Sequence, residues 1–458
     1  MKNFLSGTTP HMFIIGIFML LLLIPLSMVQ DLVNERQRTK IQAVEEVRRD
    51  WAYTQYVGGP VLVFPYTALN SDGVKIIRYL NASPDTMNVE GVLNPDILYR
   101  SIYEIPVYRS EVTFSGKFTI PDFQSQGISE SSILWDQVFV SFFISDLKGI
   151  GEETRIVWDA AAMVFKAGPG RAGTFSSGLH TSVPIKYEDV VTEGKETVRK
   201  LVKRSFSYKV DLKLKGSESF FVVPIGKQTS VSLSSSWNSP KFTGTFLPET
   251  RTVTDEGFKA TWNVLSYNRD FPDVWSGSIN NEIYSNIIGT ELFMEINTYS
   301  KTDRTVKYGF LFILFTFIVF FFAEVFSKVR IHPIHYTLVG VSLVIFYILL
   351  LSFAEHMNFN LAYLIAMLAT SGLISFYSFS IYRKKIVGFI TTFELLLLYG
   401  FVFVILHMYE YALLAGSVGV FVILAVVMYF SRSIDWYTVL TASSSENKGR
   451  ELQKDELV

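Results

Sequence analysis

Six long apolar runs divide this chain of 458 residues, and they limit its fold more than any other feature. One lies near the N-terminus, at 12–29. Five are crowded into the last third, at about 308–326, 336–353, 361–381, 386–406 and 412–430. A helix needs roughly 20 apolar residues to cross a bilayer core. At 1.5 Å per residue, the first run covers about 27 Å. The pattern predicts a membrane protein with six transmembrane α-helices, one N-terminal and five C-terminal. A large extracytoplasmic, mainly-β domain lies between the first and second. The corresponding division is residues 1–30 (N-terminal end and first span), 31–306 (β-rich domain), 307–437 (five-helix bundle) and 438–458 (polar tail).

The first run ends at Pro25-Leu26-Ser27-Met28-Val29-Gln30, without the small-x-small site that closes a secretory signal, so it reads as an uncleaved anchor. Residues 31–56 are rich in Glu, Arg, Gln and Ala and contain no Gly or Pro. They read as a polar helix that stops at the breaker Gly58-Gly59-Pro60. Residues 61–65 then form a short buried strand. Runs 111–120, 208–215 and 230–237 alternate as half-buried strands do. Glycine-rich turns such as 168–173 separate them, which predicts a sandwich or barrel-like domain. The strand runs opening at Glu111 and Ser207 hint at a duplication.

Net charge is −1, so the concentrated basic face of a nucleic-acid binder is absent and no nucleic-acid partner is expected. The chain has no cysteine, which excludes disulfides, thiolate nucleophiles and thiolate metal sites. Of six histidines only His180 falls in the β-rich domain, and His332 and His335 alone make a poor metal site. No metal, cofactor or catalytic residue is expected, and the chain reads as a non-enzyme. No nucleophile elbow, metalloprotease motif or phosphate loop occurs.

Short loops set the orientation, because Lys and Arg favour the cytoplasm. Lys328 and Arg330 follow the second run, Arg383, Lys384 and Lys385 the fourth, and Arg432 the sixth; the alternate loops have none. Both termini are therefore expected in the cytoplasm and the β-rich domain outside. Arg36, Arg38 and Lys40 vote the other way, but long domains translocate largely regardless of charge.

Two candidate functional features stand out. Glu394 lies well inside the fifth run, and a charge at that depth costs roughly 2.5–3.5 kcal/mol. It is either a proton-relay or ligand-binding acid, or a neutral carboxyl bonded to a neighbouring helix; Thr370, Ser371, Ser375, Ser378 and Ser380 of the fourth run offer hydroxyls. Asp303, Arg304 and Lys307 lead into the second run. They either couple the β-rich domain to the bundle or form ordinary interfacial charge, with Lys307 snorkelling. Asp435-Trp436-Tyr437 reads as a headgroup-level anchor. Ala362, Ala366 and Thr370, and separately Gly416 and Gly419, form small faces that let helices approach closely.

Several segments resemble the CreD family of bacterial inner-membrane proteins. They are Tyr56 to Pro60 with Pro65, Gly244-Thr245-Phe246-Leu247-Pro248, 257–262, 302–308, the block 332–356 and 433–437, in that order along most of the chain. The resemblance implies a role in cell-envelope integrity and envelope stress, with links to colicin tolerance and the β-lactam response. It implies the bilayer, and an envelope component or periplasmic protein, as partners, and assigns no catalytic residues. The alternatives are a small-molecule or lipid transporter using Glu394, and an extracytoplasmic hydrolase or transferase.

Overall fold

Each apolar run folds as helix, because within lipid the backbone must satisfy its own hydrogen bonds. The computed structural model describes residues 8–191, 197–293, 298–327, 331–382, 385–408 and 411–432. Its helices are α1 (Thr8–Trp51), α2 (Asn280–Ser285), α3 (Thr298–Lys307), α4 (Gly309–Ser327), α5 (Pro333–Ala354), α6 (Phe359–Tyr382), α7 (Lys385–His407) and α8 (Ala412–Ser431). Six of these, α1 and α4 to α8, are long and apolar enough to cross a membrane. Asp435, Trp436, Tyr437 and the polar tail lie outside the described residues, as do Lys328, Arg330, Arg383 and Lys384. The chain divides into a membrane unit, Met1–Lys40 with Ile296–Val458, and a β unit, Ile41–Glu295.

In the membrane unit α1 buries one stripe: Ile15, Leu22, Leu26, Val29 and Val33. That three-, four- and seven-residue spacing is the seam of a helix packed on one side only. Glycines receive it. A Cβ on Gly309 would lie 2.7 Å from Leu26 Cδ1, and one on Gly340 would lie 2.1 Å from Leu22 Cδ1. The small face of α6 is buried too, at Ala362, Ala366 and Thr370. α5 begins with His332 as its cap, the imidazole Nδ1 accepting the Ile334 N–H at 3.3 Å, and Pro333 follows where no amide is needed. The His332-Pro333 pair is thus helix-starting chemistry. α8 differs from the rest, burying none of its span inside the unit.

The β unit is two sheets around one shared core. The nine-stranded sheet runs in the order Pro240–Gly244, Ile288–Leu292, Ser219–Val223, Gln55–Leu69, Phe139–Ile144, Leu179–Ser182 and Lys166–Ala167; Lys75–Ala82 also pairs with Gln55–Leu69 and carries Val274–Ser276. The eight-stranded sheet runs Thr250–Thr254, Gly257–Leu265, Gln228–Ser235, Thr86–Arg100, Tyr103–Thr119, Ser205–Ser217, Arg155–Trp158 and Ala161–Val164. Tyr187–Val191 and Thr197–Leu201 form a separate hairpin. Alternation selects the inner faces: Phe206, Tyr208, Val210, Leu212 and Leu214 are buried, and Lys209, Asp211 and Lys213 between them are exposed. The sheets meet through Phe114 and Phe142 (ring centroids 4.9 Å apart) and through Tyr108, whose hydroxyl donates to Ser219 O at 2.7 Å.

Two expectations change here. α1 ends at Trp51, and Gly58-Gly59-Pro60 sits inside the strand Gln55–Leu69. The glycines are needed because neighbours crowd them: a Cβ on Gly58 would lie 2.9 Å from Val223 Cβ, and Gly59 has φ +118° beside Ser141 and Phe142. The register with Phe139–Ile144 shifts at this point, as at a β-bulge. Residues 61–65 are therefore the middle of a long central strand. The runs opening at Glu111 and Ser207 pair antiparallel with each other, from Ser205 against Thr119 to Ser217 against Val107. At the end of the second, Glu218 at φ 61° turns the chain into the other sheet, and its carboxylate pairs with Arg48.

Candidate functional site

The acids of the membrane unit define the site. Glu394 projects from near the middle of α7, and the hydroxyl of Thr316 on α4, itself fully buried, donates to Glu394 Oε1 at 3.3 Å. Oε2 is buried without a hydrogen-bond partner. The expected partners on α6 are not used. Ser378 donates to its own helix at Ile374 O, and the Ser371 and Ser375 hydroxyls are buried and unpartnered. The reason lies in helix phase. The face of α7 toward α6 carries Tyr399, whose backbone carbonyl accepts the Tyr363 hydroxyl at 2.7 Å, whereas Glu394 shares the face of Val387, Ile390 and Leu398 that looks toward α4 and α8.

On that face a cavity of about 680 Å³ opens between α4, α7 and α8. Its wall is phenylalanine, valine, isoleucine, leucine and Ala323, and among the described residues Glu394 is its single charged side chain. A second cavity of about 390 Å³ continues along the same helices as far as Tyr308 and Gly416. Phe315, Leu398 and Ile423 line both.

Sequence reading passed over a second acid. Glu324 on α4 is 9% exposed, accepts the Tyr336 hydroxyl at 2.9 Å and the Ile331 N–H at 3.2 Å, and so closes the connection between α4 and α5. The available signal was a carboxylate inside an apolar run, one turn before its end.

Asp303 accepts from Gln30 Nε2 of α1 and pairs with Lys307 Nζ at 2.7 Å, one turn along α3. Both partners belong to the membrane unit. Arg304 is half-buried on the same helix. Glu355, at the end of α5, accepts the Tyr299 hydroxyl of α3 at 3.1 Å and lies 3.8 Å from Arg36 of α1. These contacts join α1, α3 and α5 in one polar collar, in which Glu355, Tyr299 and Gln30 were not foreseen.

In the β unit charges are paired at the surface, as with Lys203 and Asp159 or Arg204 and Glu130. His180 Nδ1 lies 2.7 Å from Gly168 O, inside the expected turn. Among the described residues no three His, Asp or Glu side chains are grouped to hold a metal.

The fold and the membrane-buried acids define a multi-pass membrane protein with a β-sheet domain inserted between its first and second spans. The family model described as Inner membrane protein CreD matches residues 8–437, and the chain belongs to the CreD family. It is similar to the Inner membrane protein CreD of Escherichia coli strain K12, being 28% identical over 427 residues, which cover 91% of each chain.

Proposed function

We propose that this chain supports the integrity of the bacterial cell envelope, including its response to stress from β-lactams and colicins. In this reading the β unit faces the periplasm and binds an envelope component or a periplasmic protein. The six helices hold it at the membrane, with both termini in the cytoplasm. The observation that carries the reading is the insertion of a complete two-sheet domain between two membrane spans. Tethered at both ends, such a domain samples only the layer next to the bilayer, which raises its effective concentration for anything held there. The basic loops support the orientation.

Complementation tests it. Cells lacking the gene receive either the wild type or the β unit tethered by the first span alone, and envelope permeability is measured under a β-lactam. Rescue by the tethered form supports the reading. Failure of that form, when it is expressed and folded, moves the function into the helices.

A second reading draws on Glu394, whose Oε2 is unpartnered beside a cavity. In it the membrane unit handles a small molecule or lipid. Full activity of Glu394→Gln and Glu394→Leu in the permeability assay would sink it.

A further inference from the structure

The slot between α4, α7 and α8 is built unlike the rest of the membrane unit. Part-way along, α8 is seated closely: a Cβ on Gly419 would fall 1.9 Å from Phe401 Cζ, and the smaller cavity lies beside this contact. Beyond that contact the helices part, and the larger cavity opens between Phe322 and Phe326 of α4, Ile386 and Ile390 of α7, and Val426 and Phe430 of α8. The slot follows α4 from Tyr308 to Phe326, about 27 Å at 1.5 Å per residue, close to the roughly 30 Å of a bilayer core. Its apolar walls suit a hydrocarbon chain. Tyr308 and Ser417 add hydroxyls toward one end, the latter donating to Leu414 O of its own helix, and part-way along stands a carboxyl with Thr316 on one oxygen and nothing on the other.

Position and chemistry select the guest. Among the described residues no Lys or Arg lines the slot, and an anionic headgroup on Glu394 would set charge against a carboxyl. An ammonium carried to this depth would cost roughly 2.5–3.5 kcal/mol. A hydroxyl both donates and accepts, so it can satisfy Oε2 whichever protonation state the carboxyl holds. We propose that the slot binds an uncharged long-chain alcohol, its hydroxyl on Glu394 Oε2 and its chain between α4, α7 and α8. The proposal deepens the second reading above by naming the ligand class, and binding can be measured without transport.

The experiment uses the full chain in lipid nanodiscs and hexadecanol carrying a diazirine on its chain. After irradiation, labelled peptides are mapped by mass spectrometry. Labelling is expected on α4, α7 and α8 around the slot, with competition by hexadecanol but not by hexadecane or palmitate. Glu394→Gln, whose amide still donates and accepts, keeps the labelling. Glu394→Leu lowers it about two- to tenfold, the range for one hydrogen bond. Ile423→Trp, placed where the two cavities meet, abolishes it. Equal labelling of Glu394→Leu and wild type, or equal competition by hexadecane, overturns the site and leaves only ordinary bilayer lipid against α8. Binding without movement of the alcohol between leaflets keeps the site and removes the transport reading.

Discussion

The hydroxyl of Tyr336 donates to Glu324 Oε2 across the gap between α5 and α4, at 2.9 Å, and both groups are buried. Tyr336→Phe removes the donor and leaves the carboxyl short of one partner in an apolar setting. The expected loss is about 1–3 kcal/mol. Thermal unfolding in detergent should show a lower Tm for this variant; an unchanged Tm would mean that the bond carries no net stability.

Among the described residues of the β unit, Arg269 is the most deeply buried cation. Its guanidinium donates to Ile225 O, to Ser83 Oγ at 3.1 Å and to Asp273 Oδ1, and stacks over Phe271 at 4.3 Å. Burial holds it below its ordinary pKa, with Asp273 opposing that shift. Arg269→Ala leaves these partners unpaired and should destabilise the unit by about 3–5 kcal/mol. Arg269→Lys keeps the charge but cannot fork to three acceptors, so it should fall between the two. Denaturant unfolding followed by tryptophan emission will rank them.

Asp159 gives the β unit a dependence on acid. Partial burial opposes its ionisation, but Lys203 Nζ at 2.7 Å and the Ser207 N–H at 2.9 Å prevail, and its pKa is held below the ordinary 3.8. A depressed carboxyl contributes stability above its unfolded pKa and loses it as pH falls through the folded value. Asn suits the positive φ of this position as Asp does. Wild type should therefore be the more stable at neutral pH, and its advantage over Asp159→Asn should shrink below about 3.8 and vanish at lower pH. A difference that stays constant with pH would assign the effect to something other than this charge.

Gly340 and Gly372 form a controlled pair in the membrane unit. A side chain on Gly340 meets Leu22 of α1 and Phe317 of α4, whereas one on Gly372 meets nothing within 4 Å. Gly340→Leu should push α1 off the bundle and lower the Tm. Gly372→Leu should leave it unchanged within about 0.5 kcal/mol, as at exposed positions generally. Equal effects would show that α1 is not seated on Gly340.

The six spans were legible because bilayer thickness imposes a length, and hydropathy reads length well. The strand 208–215 was legible from its alternation alone. The end of α1 was misplaced because Gly58-Gly59-Pro60 carries two meanings, a helix stop or a crowded place in a sheet, and only the position of Val223 decides between them. Glu394 was legible as an acid out of place, but its partner was not. Hydroxyls are abundant on α6, and helix phase turns Glu394 instead toward Thr316. Glu324 was missed because an acid so near the end of a run resembles an ordinary boundary.

The strand Gln55–Leu69 begins by pairing, in parallel, with Phe220–Val223. On the ribosome, Gln55 emerges long before Phe220 does. At roughly 5–20 residues per second, the first strand of the sheet waits on the order of ten seconds or more for the neighbour that completes it. Its Gln55 and Val57, fully buried in the finished protein, lack that neighbour throughout the interval, whereas Val61 to Phe64 meet Lys75–Ala82 and Phe139–Ile144 much sooner. Such non-local pairing makes for slow folding. The order in which the chain is made, and not only the strength of the finished sheet, thus decides how long this edge stays open to other partners.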